Sequence, residues 1–280
     1  MLPRFSSLEP KTKEEAVRSL AELDEAALLA GGTDLLVRMK RGESHRHVID
    51  IAGVEELHGI SREGSRIRIG PATTHGGICA NPMIMEWASS LAEAAGAIGS
   101  PQIRNTGTIG GNLANASPCA DSIAPLLIHD AVLTIESAAG KRTEGLEQFI
   151  TGPYQTTLTG RELLTAISIE GLKGYREGYR RAAKRAAWAV SRLGIAWAIR
   201  DTGDTFDEIR LAIGSCTPRP FRARAVETLL KGKKRERGII EEAVHLSLDE
   251  IRRRSGERPS FVYKIPVIRD LLSQILSYRQ

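Results

Sequence analysis

The sequence predicts an α+β fold, and three observations carry that reading. A strand, a glycine turn, a helix and a second strand follow one another near the N-terminus. Short alternating strands then recur through the middle of the chain, separated by stretches rich in small residues. Toward the C-terminus one long alternating stretch precedes two helical patterns. A chain of 280 residues can bury one large core or a few smaller ones.

Residues 13–23 set Ala16, Val17, Leu20 and Leu23 on one helical face, and Thr12 can cap the start. Residues 26–30 read as a short buried strand that runs into Gly31-Gly32-Thr33-Asp34. A short helix then covers residues 35–40, Gly42 ends it, and a strand follows over 47–51. A double glycine lets backbone approach a ligand, and the N–H groups at the next helix start favour a phosphate or pyrophosphate. Thr33 or Asp34 can cap that helix. The turn carries neither the GxGxxG of a Rossmann site nor the GxxxxGK[ST] of a P-loop, so both of those phosphate solutions are excluded. Alone, such a turn is more often structural than functional.

Residues 66–69 alternate as a strand, and Gly70-Pro71 closes it before Thr73, Thr74 and His75. The two threonine hydroxyls can reach a cofactor, although turn capping is their commoner work. His75 reads as a lone structural histidine; His45 and His47, without a third ligand, read as solvated loop. Residues 89–97 form a small-residue helix and 99–107 a loop. Thr108 and Ile109 read as the end of a strand, and Gly110-Gly111 then presents bare backbone beside the amide of Asn112. Ser117 and Pro118 read as an N-cap and first helical position, which starts a helix at Pro118 with Asp121 in its first turn, free to accept hydrogen bonds from sugar-like hydroxyls. Strands follow over 131–136, 163–169 and 188–199, and helices over 239–251 and 266–277. Two double-glycine turns about eighty residues apart make a shared ligand more plausible than either turn alone.

Composition excludes several classes. Lys plus Arg number 39 against 34 Asp plus Glu, a net charge of +5 that is weak evidence for nucleic acid when neither an aromatic RNA-binding motif nor a zinc-finger spacing accompanies it. Basic clusters at Arg180-Arg181-Lys184-Arg185 and Lys231-Lys233-Lys234-Arg235 read as solvated faces. No apolar run approaches the roughly 20 residues of a membrane span, and no signal-peptide core follows the N-terminus, so the chain is expected in the cytoplasm. Cys79, Cys119 and Cys216 are widely separated, so the chain cannot hold a four-thiolate cluster and offers no metal site. No nucleophile or acid–base constellation stands out, so no catalytic residue is assigned.

Three stretches carry a resemblance: AGGTDLL from Ala30, IGPATTH from Ile69, and QIRNTGTIGGNLANASPCAD from Gln102. With them the chain closely resembles the flavin-binding medium subunits of the molybdenum hydroxylases, the carbon monoxide dehydrogenase and xanthine dehydrogenase type. Residues 206–232 and a terminal helix bearing Val267, Ile268, Leu271, Leu272, Ile275 and Leu276 extend the likeness over essentially the whole chain. The resemblance implies a two-lobed FAD-binding domain of the vanillyl-alcohol-oxidase-like (PCMH) type, with lobes over 1–54 and 55–171, and a C-terminal domain of antiparallel sheet and helices over 172–280. It implies that Ala30, Gly31, Gly32, Thr33, Asp34 and Leu35 cradle the FAD pyrophosphate. Thr108, Ile109, Gly110, Gly111 and Asn112 would lie along the pyrophosphate and ribityl chain, and Asp121 would bind cofactor hydroxyls. Ile98, Leu163 and Arg180 fall near further flavin contacts; the family often shows lysine at Arg180, and many relatives have alanine at Pro71.

By the same likeness the chain is an electron-transfer subunit. A large subunit holds the molybdenum cofactor, a small subunit holds two iron–sulfur clusters, and FAD here passes electrons to NAD, a quinone or dioxygen, in a dimer of heterotrimers. The rivals are a self-sufficient flavoenzyme of the vanillyl-alcohol oxidase or UDP-N-acetylmuramate dehydrogenase kind, and a non-catalytic nucleotide-binding scaffold.

Overall fold

The computed structural model describes residues 2–183 and 190–278. The chain divides into two compact units, each assembled from three stretches. The first takes the chain up to Ala80, Ile98–Ser117 and Asp130–Gly171; the second takes Asn81–Ala97, Pro118–His129 and the chain from Leu172.

The first unit contains a three-stranded parallel sheet with His47–Asp50 between Ser6–Leu8 and Ala26–Leu29. A parallel sheet buries both faces, and alternation along the central strand shows how. Ile49 packs with Ala16 and Leu20 of the Lys13–Glu22 helix, whereas Val48 packs with Leu35 and Met39 of the Leu35–Lys40 helix. Thr12 caps the first of these helices, its hydroxyl accepting the Glu15 N–H at 3.1 Å. A five-stranded antiparallel sheet completes the unit, in the order Ile60–Glu63, Arg66–Ile69, Leu163–Glu170, Val132–Ser137, Gly140–Gly145. Ile67, Ile69, Leu133, Ile135, Ile167 and Ile169 form its buried rows.

The second unit is built on a four-stranded antiparallel sheet, in the order Arg176–Ala183, Ser191–Thr202, Thr205–Gly214, Phe221–Arg222. Trp197, Phe206, Leu211 and Phe221 from that sheet share a core with Leu248 of the Arg237–Ser255 helix and Leu272 of the Phe261–Ser277 helix. No described helix is long and apolar enough to cross a membrane.

Several local expectations need correction. Thr108 does not end a strand: it caps the Ile109–Asn115 helix, its hydroxyl accepting the Gly111 N–H at 3.1 Å, and a lone bridge to Thr74 is what remains of the extended pairing. The expected loop over 99–107 contains the Pro101–Thr106 helix, capped by Ser100. Conversely, no helix starts at Pro118. Residues 118–119 and 121–122 are turns, and the helix is Ile123–Ile128, so Asp121 precedes it. Tertiary hydrogen bonds to Asp121, given below, override the local Ser-Pro signal.

The C-terminal helix begins at Phe261 rather than Pro266, because its buried face runs back to Phe261 and the proline sits inside it. Of the predicted strand over 188–199, residues 188 and 189 lie outside the described residues, as do Lys184 and Arg185 of the first basic cluster. In the second cluster Arg235 is not solvated: its side chain is 3% exposed and bonds Asp201 and the Tyr278 carbonyl. His47 lies in a strand with its Nδ1 2.6 Å from the Ser6 hydroxyl, and His45 pairs with Glu43 at 2.9 Å.

Candidate cofactor site

The first glycine turn is an array of donors. The amides of Gly31, Gly32, Thr33, Asp34 and Leu35 donate to no described acceptor, and the Leu35–Lys40 helix opens without a side-chain cap, contrary to the role expected of Thr33 or Asp34. Gly32 adopts φ +69°, the left-handed region that glycine enters without a steric penalty. Consecutive unengaged N–H groups around such a residue make a concavity of positive potential that suits an anion.

The second glycine turn is closed by contrast. Ile109 N–H donates to the Thr73 carbonyl at 3.0 Å, Gly110 to Pro71 at 2.8 Å and Asn112 to Thr108 at 3.0 Å, while the Thr108 hydroxyl takes Gly111. Its two glycines do different work. A Cβ on Gly110 would stand 2.5 Å from Pro71 Cβ and 2.7 Å from its carbonyl oxygen, so this glycine lets two backbones touch. Among the described residues a Cβ on Gly111 would meet only the Thr108 hydroxyl, at 3.0 Å, and Gly111 is exposed.

The first turn packs against the segment that leads into the second. A Cβ on Gly31 would overlap the Thr106 carbonyl oxygen and come within 2.9 Å of Gly107 Cα, so only glycine permits that approach. A Cβ on Gly107 would lie 3.4 Å from both the Thr33 hydroxyl and His75 Cδ2. Thr74 caps the His75–Cys79 helix and Thr73 donates to the Gly59 carbonyl, so both serve the turn. His75 is 3% exposed, its backbone N–H donates to Gly107 O at 3.0 Å, and its Nδ1 has no partner among the described residues. Burial pushes its pKa down to about 4, which keeps the imidazole neutral near pH 7. The sequence marks Gly107 only as loop, and its place between two glycine motifs is the available signal.

Among the remaining candidates, Ala30 precedes the first turn and is half-buried. Ile98 is half-buried and its carbonyl accepts Arg104 Nη1 at 3.0 Å. Leu163 is 1% exposed and belongs to the core around Ile49 and Leu20. Asp121 and Arg180 belong to the second unit. Arg180 is exposed, with its guanidinium 5.8 Å from the Trp197 ring centre. Asp121 is 7% exposed and takes hydrogen bonds from Tyr179 and Ser191, both at 2.5 Å, with Arg181 at 3.3 Å. Nothing in the sequence around Tyr179 or Ser191 marks either as a partner of Asp121. Among the described residues no group of three or more His, Cys, Asp or Glu side chains could hold a metal ion.

Five amides with no acceptor among the described residues, set around one glycine turn, fit an anionic ligand such as a dinucleotide pyrophosphate. Comparison with known proteins decides the family. Residues 3–169 match the family model for the FAD-binding domain in molybdopterin dehydrogenase, and residues 178–278 match the C-terminal domain of the CO dehydrogenase flavoprotein. The chain belongs to the FAD-binding medium subunits of the molybdenum hydroxylases. It is 33% identical over 270 residues to the xanthine dehydrogenase FAD-binding subunit of Escherichia coli O157:H7, covering 95% of this chain and 92% of that one. It is 35% identical over 251 residues to the carbon monoxide dehydrogenase medium chain of Hydrogenophaga pseudoflava, covering 88% and 85%. A solved structure of carbon monoxide dehydrogenase from Hydrogenophaga pseudoflava, lacking the Mo-pyranopterin moiety of the molybdenum cofactor, superimposes with a TM-score of 0.91 at 32% identity over 98% of this chain and 96% of that one. As a member of this family the medium subunit is an oxidoreductase flavoprotein, and FAD is its own cofactor.

Proposed function

We propose that this medium subunit takes electrons from the iron–sulfur clusters of a small partner subunit and passes them to an external acceptor, NAD, a quinone or dioxygen. Substrate oxidation would take place at the molybdenum cofactor of a large subunit, within a cytoplasmic dimer of heterotrimers. Three free cysteines accord with a reducing compartment and leave the clusters to another chain. The domain division that goes with this reading is 1–54 and 55–171 for the two FAD-binding lobes and 172–280 for the C-terminal domain.

One observation carries the cofactor placement: the amides of residues 31–35 have no acceptor among the described residues, which leaves them available to a pyrophosphate. On this reading Ala30, Gly31, Gly32, Thr33, Asp34 and Leu35 hold the pyrophosphate through backbone. Thr108, Ile109, Gly110, Gly111 and Asn112 give the cofactor a flat surface, with Gly111 as the point of closest approach. Asp121 accepts cofactor hydroxyls, and Ile98, Leu163 and Arg180 flank the flavin. Bound FAD supplies the redox chemistry; the chain binds it, orients it and sets its electrostatic surroundings.

The deciding experiment is a visible spectrum of the purified protein with release and identification of its flavin, before and after anaerobic NADH. Noncovalent FAD bleached by NADH supports the placement and identifies NAD as the acceptor. FAD that ignores NADH keeps the placement and moves the acceptor to a quinone or dioxygen. Colourless protein that takes up no added FAD, alone or with its partner subunits, overturns the placement.

A further inference from the structure

We propose that Tyr179 and Ser191 are positioning residues that lock the Asp121 carboxylate so that its Oδ2 is held ready to accept a cofactor hydroxyl. The inference rests on the reading of Asp121 as a cofactor ligand and adds two residues to it.

The geometry is specific. Both hydroxyls donate to one oxygen, Oδ1, each at 2.5 Å. Two short donors occupy that atom. Among the described residues Oδ2 has a single, longer contact, Arg181 Nη1 at 3.3 Å, and keeps acceptor capacity. A carboxylate in water turns freely between rotamers; one pinned at Oδ1 by two donors is fixed before a ligand arrives, so less ordering remains to oppose binding.

All three side chains are withdrawn from solvent, with Tyr179 at 5%, Ser191 at 1% and Asp121 at 7% exposure. The fold makes room for this arrangement. Gly194 stands opposite Arg181 in the neighbouring strand, and a Cβ there would come within 2.5 Å of the Tyr179 hydroxyl. Glu93 Oε2 accepts the Tyr179 backbone N–H at 2.7 Å and fixes the strand that carries the phenol. The stretch bearing Asp121 is tied down at its far end too, where His129 Nε2 lies 3.0 Å from Glu177 Oε2 on the same strand. Burial and the Asp121 charge push the Tyr179 phenol well above its usual pKa, so its proton stays in place to be donated.

The test is a FAD titration of the full chain, with any subunits that copurify, for the wild type and for Asp121→Ala, Tyr179→Phe, Ser191→Ala and Tyr179→Phe combined with Asp121→Ala. Flavin fluorescence quenching gives the dissociation constant, and the thermal midpoint without flavin is read separately. Asp121→Ala should weaken binding. Tyr179→Phe and Ser191→Ala should each raise the dissociation constant by about tenfold, and the Tyr179→Phe effect should vanish in the Asp121→Ala background. If Asp121→Ala weakens binding while both hydroxyl deletions change only the thermal midpoint, the positioning role is overturned. The same holds if Tyr179→Phe weakens binding equally without Asp121. Unchanged affinity in Asp121→Ala would instead overturn the assignment of Asp121 itself. Should Tyr179→Phe fail to fold, Ser191→Ala decides the positioning role by itself.

Discussion

The two double-glycine turns look alike in sequence and are opposites in hydrogen bonding. Gly31-Gly32 begins a run of five amides that donate to nothing described, whereas every amide from Ile109 to Asn112 is already held by Thr73, Pro71 or Thr108. Equivalent roles within each pair also differ. Gly31 and Gly110 are bare because backbone is pressed against them, Gly32 because its φ is positive, while the space beside Gly111 is left open to a ligand. A glycine pair therefore has at least three physical meanings, and only the neighbours of each Cα separate them. On the proposed placement the first turn would meet the pyrophosphate and the second would give the cofactor a rigid surface to lie on.

Four measurements test that contrast. Gly31→Ala should act most strongly, since its methyl would enter the Thr106 carbonyl with backbone on both sides. A loss of about 3 kcal/mol in a urea titration is expected together with complete loss of flavin, and a variant of normal stability would break the account of how the first turn packs on Thr106 and Gly107. Gly111→Val should empty the site of flavin while the apoprotein remains folded, because its neighbour is a single hydroxyl; full flavin content would remove Gly111 from the cofactor surface.

His75 supplies a pH window. Its folded pKa of about 4 lies below the ordinary 6.5, so between those values the unfolded chain binds the proton first. The stability it contributes is complete above pH 6.5 and is lost as pH falls toward 4, by up to about 3 kcal/mol. His75→Phe should flatten that limb of the stability curve, and an unaltered slope would show that other groups dominate it. The smallest effect belongs to Thr108→Ala, which removes one cap from the second turn and should cost about 1 kcal/mol in the same urea titration. A change several times larger would mean that the Thr108 hydroxyl supports more than the Gly111 N–H.

Much of the fold was legible because local chemistry and tertiary packing agreed. The Thr12 cap, the Ala26–Leu29, Arg66–Ile69 and Leu163–Glu170 strands and the Ser89–Ala97 helix all stand where periodicity put them. The Ser-Pro dipeptide shows where that agreement fails. At Ser100-Pro101 it opens a helix that the glycines around it concealed; at Ser117-Pro118 it opens none. The difference lies far away in sequence. Ala116 has already turned left-handed at φ 46°, and Asp121 is drawn to Tyr179 and Ser191 instead of sitting in a first helical turn. Of the candidate site, the two glycine motifs and Asp121 could be read as residues to watch. That one motif donates and the other is closed could not, because it depends on the acceptors Thr73 and Pro71 finding their partners across a turn.

The interleaving of the two units bears on how the protein is made. Synthesis runs from one end, yet Asn81–Ala97 and Pro118–His129 emerge well before the sheet they join, which begins at Arg176. All six residues of Ile123–Ile128 end up buried. Until the C-terminal strands leave the ribosome, that oily segment has no home and is a natural target for a chaperone. A fragment cut at Gly171 would carry it permanently, so the stretch matched by the first family model should aggregate when expressed alone, although it contains both glycine turns.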